Sequence, residues 1–89
     1  MSLLVKGNPV TSIETLDAML KESEGRGIDL ALCSNGGFFS RKTIWPEVNG
    51  SYEIMHWGMR KEIITKDELL ESNIGEGMRK DALVYLCEA

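Results

Sequence analysis

IDLALCSNGGFFSRKTI, residues 28–44, decides the fold of this chain. Strand-forming residues flank Asn35-Gly36, a pair suited to the two-residue type I′ turn, where both central residues need positive φ. Counting outward from that turn sets Cys33 opposite Phe38, Leu32 opposite Phe39, Leu30 opposite Arg41, Asp29 opposite Lys42 and Ile28 opposite Thr43. In this register Ile28, Leu30, Leu32 and Phe39 share one face, while Asp29 meets Lys42 on the other. The stretch therefore predicts an antiparallel hairpin with one apolar side.

A second Asn-Gly pair, Asn49-Gly50, extends the hairpin into a meander. The same count puts Trp45 opposite Ile54, Ile44 opposite Met55, Thr43 opposite His56 and Lys42 opposite Trp57. Pro46 cannot donate to a ladder, so a bulge or a longer loop is expected there. A third turn near Gly58-Met59 returns the chain through Lys61 to Ile64 and sets Ile63 beside Ile54.

Helices flank the meander. Thr11-Ser12-Ile13-Glu14 reads as a capping box, with Ile13, Leu16, Met19 and Leu20 at helical spacing and Gly25 and Gly27 as stops. A helix from about Ser12 to Glu24 follows. Thr65-Lys66-Asp67-Glu68 is a second capping box opening a short helix, and Asn73 heads another that carries Met78. The run Leu83-Val84-Tyr85-Leu86 fits a last strand or a buried helix end, and periodicity alone does not choose between them. The predicted architecture is α+β: an N-terminal amphipathic helix packed on an antiparallel β-meander of three to five strands, with short C-terminal helices. Residues 1–89 read as a single compact domain, because no linker, low-complexity tract or charge block divides them.

Composition narrows the function classes. The apolar fraction of 43% is that of a folded globule, and the net charge of −4 gives no long-range attraction to nucleic acid or anionic membrane. No apolar run approaches the ~18 residues of a membrane span. Cys33 and Cys87, far apart in sequence, read as two buried thiols in a reducing cytoplasm, not as a disulfide. With one histidine and two separated cysteines, no metal site and no cofactor is expected. No G-x-S-x-G, H-E-x-x-H, P-loop or dinucleotide fingerprint occurs, so no catalytic residue is assigned.

Three readings of function remain. The leading one is a small microbial, cytoplasmic, non-enzymatic interaction or regulatory protein whose partner is another protein or a second copy of itself. Its surface would be the outer sheet face, where the counted register gathers Lys42, Ile44, Met55 and Trp57, with Lys42 over the Trp57 indole. The alternative is a nucleic-acid-associated accessory protein using the basic pairs Arg41-Lys42, Arg60-Lys61 and Arg79-Lys80. The helix–strands–helix order and residues 75–82 resemble the last-helix entry of a double-stranded-RNA-binding domain in outline. Glu76, Asp81, the extra segment 65–72 and the negative net charge depart from that pattern, and the chain is not assigned to the family. The third reading is a small enzyme using His56, whose expected role is instead structural, with Thr43 as its neighbour.

Overall fold

In a computed structural model, described over residues 9–34, 37–56, 61–79 and 81–89 (backbone only for 37–39), the chain is α+β. Helix α1 spans Ile13–Glu22, and strands β1 (Ile28–Ser34), β2 (Gly37–Ile44), β3 (Ser51–His56) and β4 (Lys61–Thr65) follow. Two short helices, α2 (Lys66–Glu71) and α3 (Asn73–Gly77), precede a last strand, β5 (Val84–Glu88). All pairings are antiparallel, in the order β4-β3-β2-β1-β5. The meander is therefore joined on one side by residues 84–88, and the run Leu83-Val84-Tyr85-Leu86 resolves as strand from Val84 onward.

The helix caps follow local chemistry. Ser12, one residue beyond the expected Thr11, caps α1 by accepting from the Thr15 amide across 3.1 Å. At α2 the expected capping box is complete: Thr65 Oγ1 accepts from the Glu68 amide, and Glu68 Oε1 accepts from the Thr65 amide. Ser72, not Asn73, caps α3.

The first counted register holds at Cys33 and Phe38; beyond that pair, and in the other two hairpins, the counted registers are corrected by one residue. Next to the first turn, Ser34 pairs with Gly37 and Cys33 with Phe38, as a two-residue turn at positions 35 and 36 requires; those two residues lie outside the described ones. Beyond a bulge, Leu32 pairs with Ser40, Leu30 with Lys42, Asp29 with Thr43 and Ile28 with Ile44. Phe39 is the extra residue on β2. The second hairpin repeats the device. Asn49 and Gly50 both have positive φ and Val48 bridges Ser51, yet Ile44 pairs with Ile54, Thr43 with Met55 and Lys42 with His56. The slip is absorbed around Pro46, where a bulge was expected. On the far side Ile63 pairs with Glu53, not Ile54, and the turn expected at Gly58-Met59 lies outside the described residues.

These slips have one physical cause. They bring Ile28, Ile44 and Ile54 into a single row, where Ile44 and Ile54 are fully buried. The same inner face carries Leu30, Leu32, Tyr52 and Leu86, which form one cluster with Leu16 and Leu20 of α1, Leu69 of α2 and Ile74 of α3. Burying this many apolar side chains at about 1.5–3 kcal/mol each outweighs the local regularity of a ladder. The turns fix register near the tips, the core fixes it further out, and a bulge reconciles the two.

Candidate functional site

The residues gathered by counting divide between the two faces. Ile44 is 0% exposed in the core, and Lys42, on the same inner face, is 9% exposed. Met55 lies on the opposite, outer face between Thr43 and Lys61. Trp57, the fourth member of the expected surface, lies outside the described residues, as do Arg60 and Lys80. Lys42 therefore shares no face with Met55.

The outer face carries a different set. Ile63, on β4, is 69% exposed, and Val48, just before the second turn, is 67% exposed. Both line a shallow groove of about 280 Å³ with Pro46, Ser51, Tyr52 and Glu53. Lys61, two residues from Ile63, lies 3.9 Å from Glu53 and holds its ammonium 4.4 Å from the Trp45 ring centroid. Among the described residues Lys61 on Trp45 is thus a cation–π pair of this sheet. Sequence reasoning missed Ile63, because Ile63-Ile64 is apolar at both positions and alternation cannot say which one faces out. Ile64 is the half-buried neighbour packed against the core.

A polar row closes one side of the inner face. Lys42 Nζ donates to Ser40 Oγ across 3.0 Å, and His56 Nε2 meets Glu62 Oε1 at 2.8 Å. Burial lowers the Lys42 pKa, since the ammonium loses its hydration, while the Glu62 carboxylate pulls it back up. The expected neighbour of His56, Thr43, points to the other face and donates to Asp29 across 2.8 Å. Glu62 takes that place.

Of the described members of the three basic pairs, Arg41 and Lys42 are consecutive on β2 and point to opposite faces, and Lys61 is held by Glu53 and Trp45. Arg79 is exposed just beyond α3. They do not converge on one stripe. Cys33 and Cys87 are free, buried thiols on adjacent strands, in the consecutive outer-face pairs Cys33–Tyr85 and Ala31–Cys87. Burial pushes the Cys87 thiol pKa up, and the neighbouring Cys33 adds to it. Among the described residues no cluster of His, Cys, Asp and Glu could hold a metal ion, and no helix is long and apolar enough to cross a membrane. No family model, curated protein or solved structure matches this chain.

Proposed function

We propose that this chain is a small non-enzymatic interaction domain that works in the cytoplasm and takes a second copy of itself as partner. The observation that carries the reading is Ile63: a large aliphatic side chain, 69% exposed at the middle of a strand, with exposed Val48 on the same groove. Isolated surface hydrophobes are ordinary, but a groove lined by Pro46, Val48 and Ile63 is a contiguous apolar feature of the kind that marks interfaces. The surrounding charges, Lys61 and Glu53, give it the polar rim common to such sites. Two reduced, buried thiols accord with a reducing compartment.

Sedimentation across a wide concentration range tests this reading. The expected result is a reversible dimer that shifts toward monomer on dilution. A monomer at every concentration overturns it.

A further inference from the structure

We infer that the second copy adds to the open edge of β4 as an antiparallel strand, with the two-fold axis passing beside Ile63. The inference rests on the self-association proposed above and supplies its geometry.

The two edges of this sheet are not alike. Along β5, Pro9 bridges Cys87 and the Val10 amide donates to the Leu86 carbonyl across 2.8 Å, so that edge is already engaged. Along β4, no described residue pairs on the side away from β3. An open strand edge is a row of unsatisfied donors and acceptors that natural sheets blunt or fill.

Which groups of β4 point outward follows from one bond. The Lys66 amide donates to the Gly50 carbonyl, and Ser51 pairs with Thr65 immediately beside it. In an antiparallel ladder hydrogen-bonded and non-bonded pairs alternate, so Glu62 and Ile64 turn their backbone groups toward β3. Lys61, Ile63 and Thr65 turn theirs away. The Trp45 amide donating to the Glu53 carbonyl agrees, because it directs Glu53 toward β2 and away from Ile63. The Thr65 amide is committed to Glu68 in the α2 cap, which leaves the amides of Lys61 and Ile63 as the outward donors of the described strand.

Charge then selects the register. A two-fold axis at Glu62 would set two glutamates directly opposite each other, which is destabilising. The Thr65 amide is already used by Glu68, so an axis at Ile64 would keep only the bonds from each Ile63 amide to a Thr65 carbonyl, fewer than an axis at Ile63 keeps. An axis at Ile63 pairs it with its counterpart, Lys61 with Thr65, and Glu62 with Ile64, so no like charges meet within β4. The two Ile63 residues exchange two bonds across the axis, each giving one and receiving one, and each Lys61 amide reaches a Thr65 carbonyl. The two Ile63 side chains, otherwise in water, cover each other on the outer face.

Amide hydrogen exchange combined with sedimentation tests the inference. In the dimer the Ile63 amide becomes protected to the level of Glu62 and Ile64, and the protection is lost on dilution. Ile63→Lys keeps the backbone donor but sets two ammonium groups together at the axis, and is expected to sediment as a folded monomer with a fast-exchanging residue-63 amide. A dimer whose Ile63 amide exchanges freely, or one that survives Ile63→Lys, overturns the edge pairing and leaves self-association standing. A wild-type monomer throughout overturns both.

Discussion

The Tyr52 hydroxyl donates to Asp17 Oδ1 across 2.7 Å, joining the third strand to the first helix. Lys66, at the start of α2, approaches the other oxygen of the same carboxylate at 3.7 Å. Asp17 thereby links α1, β3 and α2. Tyr52→Phe removes the bond while keeping the ring, and should cost about 1.5–3 kcal/mol, the range for a hydrogen bond to a charged group. Burial first, then the bond to Asp17, raises the Tyr52 pKa above 10. The unfolded chain therefore gives up this proton first, and stability falls as pH rises beyond about 10. Urea titrations should show the wild type losing stability faster there than Tyr52→Phe.

Lys42 has the opposite sign. Burial lowers its pKa below the ordinary 10.5, so between the lowered value and 10.5 the unfolded state holds more protons and stability rises with pH. Lys42→Met lacks that titration. Its melting temperature should exceed that of the wild type at neutral pH, with the gap closing as pH approaches 10.5. A gap of constant size would mean that the Lys42 ammonium is not desolvated.

Leu16 is 0% exposed within the cluster that includes Leu30, Ile44 and Ile54. Leu16→Ala should cost about 2–5 kcal/mol by chemical denaturation, a large part of what a small domain possesses. An unchanged midpoint would separate α1 energetically from the sheet.

Gly25 and Gly27 follow α1 with φ of 87° and 79°, but their surroundings differ. A Cβ on Gly25 meets nothing within 4 Å, whereas one on Gly27 would stand 2.8 Å from the Ile44 carbonyl oxygen and 3.0 Å from the Trp45 ring. Gly25→Ala should cost about 1–2 kcal/mol from the left-handed backbone alone. Gly27→Ala should cost visibly more, because β2 must shift to admit the methyl. Equal midpoints for the two variants would show that the Gly27–Trp45 contact yields freely.

The elements were legible in the sequence where a local signal acts alone. Thr65 and Glu68 announce α2, Asn49-Gly50 announces its turn, and Leu16 and Leu20 mark the buried stripe of α1. Register was not legible, because counting from a turn assumes an unbroken ladder. Phe39 and the Pro46 region each insert a residue, and Pro46 alone gave warning. The bulge at Phe39 moved Ile44 and Lys42 to the wrong face, and a separate slip beyond β3, which set Ile63 beside Ile54 instead of Glu53, hid the exposure of Ile63. The Lys61–Trp45 contact was out of reach for the same reason, since a side-chain pair across three strands exists only once all registers are known.

β1 takes one neighbour from the adjoining hairpin and the other from the far end of the chain: Leu30 pairs with Glu88, and Leu32 with Leu86. During synthesis β1 can zip to β2 as soon as both have left the ribosome, while its second side stays bare until residues 84–88 emerge. For that interval the most apolar strand of the sheet is an open template for any extended chain nearby. The long sequence separation also makes this closure a late, entropically costly event. A clip or early stop that removes Val84–Glu88 would therefore do more than shorten the sheet: it would turn an interior strand into a permanent sticky edge, and aggregation would be the expected fate of the fragment.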